Sequence, residues 1–314
     1  MEEQKTNTPT PEANKKNWFD KNYKLLMLLP ILLTLSAVIY LGFFYYSHNH
    51  EILLKDVSLS GGTMITLTVG SDTINFEEFK TALEQKSALR GADVSLRKLT
   101  DIGTGKLMSI IVESSSNSEE LKGDIESILG YALTNDNSSI EFSEPSLGKN
   151  FFNQLMWALF IAFILMSIVI FVMFRTFIPS IAVIFSAFSD IVVPLAIVDF
   201  FGVKLSAAGI AAFLMLIGYS VDTDILLTTR ALDPKQTREG NLNQRIFGAF
   251  KTGILMTSTA IFAVLPAFLI VTGLPDSFRQ IFLILALGLF ADIIYTWMAN
   301  TGIIKWYCIK KGIQ

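Results

Sequence analysis

Six runs of roughly 18 or more mostly apolar residues constrain this 314-residue chain more than any other feature. They lie at about 25–46, 153–174, 177–198, 205–228, 252–272 and 279–304. Each is long enough, as a helix, to cross the roughly 30 Å hydrocarbon core of a bilayer. With 51% hydrophobic and only 17% charged residues, the chain is read as an α-helical membrane protein with six transmembrane helices and not as a water-soluble domain. Lys21 and Lys24 precede the first run, which is too long for the apolar core of a signal peptide. "GFFYYSHNH" after it offers no small-residue cleavage site, so the run is expected to remain as an anchor. Pro30, Pro194 and Pro266 fall inside runs and predict kinks more than breaks.

Lysine and arginine are unevenly shared between the short loops, which sets the expected orientation. Lys15, Lys16, Lys21 and Lys24 precede the first run, Arg175 separates the second and third, and Arg230, Lys235, Arg238, Arg245 and Lys251 cluster between the fourth and fifth. Lys305, Lys310 and Lys311 close the chain, whereas the opposite side holds only Lys204 and Arg279. Both termini are therefore expected in the cytoplasm of a multi-pass protein of the cell membrane. The polar stretch up to residue 24 is expected to be a disordered tail, and residues 308–314 a short second one. The net charge of −3 carries no basic excess and argues against a nucleic-acid partner. Cys308 stands alone, so no internal disulfide supports the fold.

The one large loop, residues 47–152, is then extracytoplasmic and long enough to be a domain. Its pattern predicts a strand at 58–69, a helix at 75–87, strands at 92–100 and 106–114, a helix at 118–133 and a strand at 138–143. That order is the βαββαβ of a ferredoxin-like α+β domain. Residues 153–307 form the remaining five spans. Three signals in the domain are discounted. "GTGKL" (103–107) lacks the earlier glycine of a phosphate loop and falls at a hairpin turn. His48 and His50 beside Glu51 are too few to hold a metal, so no metal and no cofactor is expected. Asn137-Ser138-Ser139 reads equally as a glycosylation sequon and as a turn before the last strand.

The intramembrane acids carry more information. "LIGYSVDTDILLTTR" (216–230) places Asp222 and Asp224 within the fourth run, and Asp190 and Asp292 fall near the middle of the third and sixth. A charge at the bilayer centre costs at least about 2.5 kcal/mol, so such residues are read as functional by default. Two positions apart on a helix is about 200° of rotation, so Asp222 and Asp224 face different neighbours. Asp222 shares its face with Ala208, Ala211, Met215 and Gly218, and Asp224 shares its own with Phe213, Ile217, Ser220 and Thr228. Lys251, with Arg230 beyond it, is the base expected to reach them. With more acids than bases at this depth, the ionised form is disfavoured, which suits a proton relay. The competing reading is that these carboxyls are packing glue, bonded across helices to Thr257–Thr259, Ser186, Ser189 or Asn300. Asp199, Asp276 and Arg279, at run ends, are expected to be solvated anchors.

"GYSVDTDILLTTR" resembles the fourth-span signature of the SecF family, the smaller membrane subunit of the SecD/SecF protein-export complex, in its archaeal form with two aspartates. The bacterial pattern runs Gly-Tyr-Ser-Leu-Asn-Asp-Thr. Gly218, Tyr219, Ser220 and Arg230 match it; Asp222 takes the asparagine position, Thr223 the proton-linked aspartate position and Asp224 the following threonine. "SLSGGTMITL" resembles the family's glycine-pair strand through Gly61, Gly62 and Thr63, with Ser58 in place of an aspartate, and in "FKTGILMTST" Lys251 replaces an arginine. The likeness runs over about residues 25–307 and implies a resistance-nodulation-division architecture, in which two six-span halves pair about an axis along the membrane normal. It implies a SecD-type partner, work beside the Sec translocation channel on a translocating polypeptide, and a non-enzymatic role driven by the proton gradient. Asp222, the deeper of the pair, on the small-residue face and with too few bases to stay ionised, is expected to carry the proton, supported by Asp224 and Lys251, with Asp190, Asp292 and Arg230 as supporting polar groups. The alternatives are a structural subunit that stabilises the translocon without ion coupling, and a stand-alone small-solute transporter.

Overall fold

The computed structural model describes residues 18–48, 51–69, 74–89, 94–100, 106–232, 241–270 and 276–313. Six helical stretches in it are long and apolar enough to cross a membrane. They are α1 (Trp18–Ser47), α5 (Pro145–Phe174), α6 (Phe177–Phe200), α7 (Ala207–Leu232), α8 (Leu242–Ile270) and a composite last span. That last span runs through α9 (Asp276–Ile294), a π-helical turn (Tyr295–Asn300) and α10 (Thr301–Lys311). Most of α6, over half of α7 and over half of the last span are buried, while α1, α5 and α8 turn most of their apolar surface outward. α7 is central and packs against α5, α6, α8 and α9. Pro30, Pro194 and Pro266 lie within continuous helices, so none breaks its span.

Several helices extend past the expected limits. α1 already begins at Trp18, inside the stretch expected as a tail, and α10 continues to Lys311. α8 starts at Leu242 because Arg245, only 1% exposed, donates to the Ala231 carbonyl at 3.3 Å and Leu242, Ile246 and Ala249 are buried beside it. The expectations for residues 1–17, His50, Lys235, Arg238 and most of the 103–107 turn lie outside the described residues.

Between α1 and α5 the chain forms α2 (Val57–Ser60), β1 (Gly62–Thr68), α3 (Phe76–Ala88), β2 (Val94–Thr100), β3 (Leu107–Ser114), α4 (Ser118–Leu129) and β4 (Ser138–Ser143). The sheet order is β2-β3-β1-β4 with every neighbour antiparallel, the split arrangement of a ferredoxin-like domain. Ile65 stands opposite Val112 on one side and Ile140 on the other. One face packs Ile65, Leu67, Ile110 and Val112 under Phe79, Leu83, Leu121 and Ile125 of the two long helices. α4 stops earlier than expected, at Gly130, whose φ of 76° caps it in the left-handed region. The Asn137 amide accepts from the Thr134 N–H at 2.7 Å and donates to the Ala132 carbonyl at 3.0 Å, so it builds the turn before β4.

The strand expected from residue 58 begins only at Gly62. Asp56 caps residues 57–60 as a helical turn, its carboxylate accepting from the Ser58 N–H at 2.9 Å and the Ser58 hydroxyl at 2.5 Å. Gly61 and Gly62 then turn the chain at φ 86° and 126°, and a Cβ on Gly62 would overlap the Ser114 carbonyl. This junction is bonded to the membrane helices. Leu205 donates to the Leu54 carbonyl at 2.7 Å, Asp56 to the Leu205 carbonyl at 3.0 Å, and the Ala207 N–H, the first of α7, to the Ser58 hydroxyl at 3.0 Å. Glu113 of β3 takes Arg97 of β2 on one oxygen and Lys204 on the other, the latter at 2.5 Å. Lys204 and Arg279, the sparse cations of this side, thus have separate uses, because Arg279 stacks 5.0 Å from the Phe268 ring.

Burial pushes the Asp56 carboxyl up to about 7, with the Ser58 bonds pulling it down and Glu113 and Glu141 pushing it up further. The folded chain then holds a proton that the unfolded chain releases near pH 4, so this group's contribution to stability falls as pH rises from about 4 to about 7. Asp56→Asn should gain on the wild type over that window in thermal melts of the purified protein; a difference independent of pH would contradict the assignment. Gly62→Ala should lower the stability of the junction by about 1–3 kcal/mol, read as faster limited proteolysis between α1 and α5.

Candidate functional site

Three carboxyls meet in the centre of the bundle. Asp190 of α6, Asp224 of α7 and Asp292 of α9 are each no more than 1% exposed. Asp292 accepts from Thr223 at 2.9 Å, Thr257 at 3.1 Å and Thr296 at 3.1 Å. Asp224 accepts from Thr296 at 2.9 Å and from the Asn300 amide at 2.7 Å, and Asp190 accepts from the Ser220 hydroxyl. No lysine or arginine nitrogen lies within 4.0 Å of any of the three among the described residues.

The local sequence explains the convergence. Asp292, Thr296 and Asn300 are spaced by four, a step that drifts about 40° on an α-helix. The wider turn at Tyr295–Asn300 drifts the other way, so all three serve one face. Thr301 stabilises that turn by donating to the Thr296 carbonyl at 2.8 Å. Below it, the Thr34 hydroxyl of α1 lies 2.9 Å from both Ser189 of α6 and Tyr295, and Tyr295 donates to the Pro30 carbonyl at 3.2 Å. Polar bonds therefore join α1, α6, α7, α8 and the last span.

Counting donor protons limits what this cluster can be. Thr296 has one hydroxyl proton and touches one oxygen each of Asp224 and Asp292. Thr223 likewise lies 2.9 Å from both the Ser220 carbonyl and Asp292. With every carboxyl ionised, two acceptors share one hydrogen at each hydroxyl. Asp190 Oδ1 and Asp224 Oδ2 are also buried without a partner among the described residues. A bare carboxylate oxygen in a low-dielectric interior is costly, and one added proton removes part of that cost while completing a bond to a threonine.

The structure separates the two aspartates of the fourth span as their spacing demands. Asp224 points inward with Phe213, Ile217, Ser220 and Thr228, all buried. Asp222 is exposed on the face that carries Met215, Gly218 and Tyr219, and with Thr223, Thr257 and Thr259 it lines a cavity of about 470 Å³ between α7 and α8. Thr223 and Thr257 thus connect this cavity to Asp292. Lys251 does not reach either aspartate: it is exposed, 5.0 Å over the Phe247 ring, because its position on α8 points it away from the cluster. Arg230 turns to Thr252 at 3.2 Å. Asp199, expected to be solvated, is 4% exposed and accepts from Tyr40 at 3.2 Å. Sequence reasoning missed the roles of Thr223, Thr296 and Tyr295; the four-residue spacing of Asp292, Thr296 and Asn300 was the signal for the second.

Residues 127–310 match the family described as protein export membrane protein SecD/SecF, C-terminal. A protein-export membrane protein SecF from Methanolacinia petrolearia is 39% identical over 291 residues, covering 92% of this chain and 95% of that one. The chain belongs to the SecF family. A second SecF relative, from Methanothermobacter thermautotrophicus, is 35% identical over 296 residues, covering 91% of this chain and 93% of that protein. The crystal structure of SecDF, a translocon-associated membrane protein from Thermus thermophilus, superposes with a TM-score of 0.71 over 95% of this chain at 16% identity. That likeness shows the fold, and this chain spans 40% of the SecDF chain. Within the matched region, the Thr223 hydroxyl of the fourth span is bonded to Asp292, an acid from the last span.

Thr296→Val should destabilise the purified protein by about 1–3 kcal/mol, because it removes one donor that two buried carboxyls share. In a double-mutant cycle with Asp224→Asn the two losses should be strongly non-additive, as for residues of one network; additive losses would show that Thr296 does not bridge the acids.

Proposed function

We propose that this chain works as the SecF-type subunit of an export complex, paired with a SecD-type membrane subunit beside the Sec translocation channel and acting on a translocating polypeptide. It does so as a force-transmitting subunit and not as an enzyme. The observation that carries the coupling is the cation-free trio Asp190, Asp224 and Asp292, reached from the Asp222 cavity through Thr223 and Thr257. A proton entering at Asp222 neutralises one carboxyl of the trio and re-forms the hydroxyl bonds that tie α6, α7, α8 and the last span. Its release restores the charged arrangement. A gradient supplies about 2.3 kcal/mol per charge per 100 mV, enough to bias two such arrangements. The small-residue face of α7 with Asp222 is the surface for the partner subunit. In this reading both termini are cytoplasmic and residues 47–152 extracytoplasmic, so the Ser58–Ala207 and Glu113–Lys204 bonds pass α7 movement to the outer domain.

Asp224→Asn and Asp292→Asn should each keep assembly with the partner subunit while lowering gradient-stimulated export by about tenfold or more. Lys251→Gln should export like the wild type. Wild-type export by all of these variants would replace the relay with a structural subunit, and recovery of an active homodimer alone would favour a small-solute pump. Stimulation by a sodium gradient in place of a proton gradient would make sodium the coupling ion.

A further inference from the structure

Where α1 starts and α10 finishes, a cavity of about 420 Å³ opens between them, lined by Lys24, Met27, Ile303 and Trp306. Three of these lining residues are apolar or aromatic and the fourth is a lysine. Gly302 creates the close helix approach beside it: a Cβ there would lie 2.8 Å from Met27 Cβ and 3.4 Å from the Tyr23 carbonyl oxygen. Lys310 holds its ammonium 5.1 Å from the ring of Trp306, which is 39% exposed. Lys24 is exposed and forms no ion pair among the described residues. Lys305, by contrast, is buried and committed to Asn243 at 2.9 Å and to the Tyr23 ring.

The charge around the cavity is one-sided. In sequence, α1 and α10 carry Lys21, Lys24, Lys305, Lys310 and Lys311 against one acid, Asp20, and no acid follows Asn300. A partly exposed tryptophan with Lys310 over its ring, an exposed Lys24 and the apolar Met27 and Ile303 match both parts of a phospholipid.

We propose that the α1–α10 groove is a binding site for one anionic phospholipid, whose phosphate is held by Lys24 and Lys310 and whose first chain carbons lie on Met27, Ile303 and Trp306. A headgroup with its own amine brings a positive charge to the same lysines and is selected against. The site is independent of the proton reading, because it shares no residue with the carboxyl cluster.

The test uses the full chain in lipid nanodiscs containing brominated phosphatidylglycerol or brominated phosphatidylcholine at equal mole fraction. The difference in tryptophan quenching between wild type and Trp306→Phe isolates the share of Trp306. Quenching of that share should be about fivefold more efficient with phosphatidylglycerol. Lys24→Gln with Lys310→Gln should equalise the two lipids, and Lys24→Arg with Lys310→Arg should keep the preference. Raising salt to about 1 M should remove the preference of the wild type, an arm that needs no variant to fold. Equal quenching by both lipids in the wild type, or a preference unchanged in the double glutamine variant, overturns the proposal.

Discussion

The hydroxyl of Thr296, placed between the carboxyls of Asp224 and Asp292, is the contact on which the arrangement of the inner helices depends. Hydrophobic burial does not by itself hold helices together in lipid, since the tails are as apolar as the side chains. Polar groups must therefore fix which helix faces which. Thr296 does this for α7 and the last span, Thr257 adds α8, and Ser220 adds α6 through Asp190. The π-helical turn is a consequence of the same demand, because it keeps Asp292, Thr296 and Asn300 on one face. A cluster that holds four helices through so few protons changes its bonding whenever a proton is added or removed, and that property is the basis of the proposed coupling.

The second constraint is the junction to the α+β domain. The first N–H of α7 is bonded to Ser58, and Ser58 is bonded to Asp56, so the start of the helix that carries Asp224 and the cap of α2 share one hydroxyl. Gln280 of α9 accepts from the Ser206 N–H at 2.6 Å and donates to the Lys204 carbonyl at 2.6 Å, which brings the last span to the same place. Two of the three helices that supply the central acids, α7 and α9, thus begin at the junction to the α+β domain.

The six spans and the βαββαβ order were legible in the sequence, because apolar runs of membrane length and strand alternation are local patterns. The opposed faces of Asp222 and Asp224 were legible for the same reason, helical rotation being fixed. Which face turns inward was not, because Ala208, Ala211 and Gly218 suit a neighbour within the chain as well as one from another subunit. Lys251 reads in sequence as the partner of these acids, yet it sits a helix face away from them. The cap at Asp56, the buried Arg245 and the long-range Thr223–Asp292 bond depend on segments brought together only by the fold. The π-helical turn left a trace in the spacing of Asp292, Thr296 and Asn300, and the family pattern left another in the threonine at position 223.

The central claim is that the buried trio holds an exchangeable proton. Infrared difference spectroscopy of the purified protein, stepped in pH across the neutral range, reads it directly through the carbonyl stretch of protonated carboxyls. The account predicts a band from a buried protonated carboxyl that changes with pH and is lost or shifted in Asp224→Asn or Asp292→Asn, with Asp222→Asn leaving the band but slowing its exchange. A spectrum without such a band, or one unaffected by replacing Asp224 and Asp292 together, would contradict it.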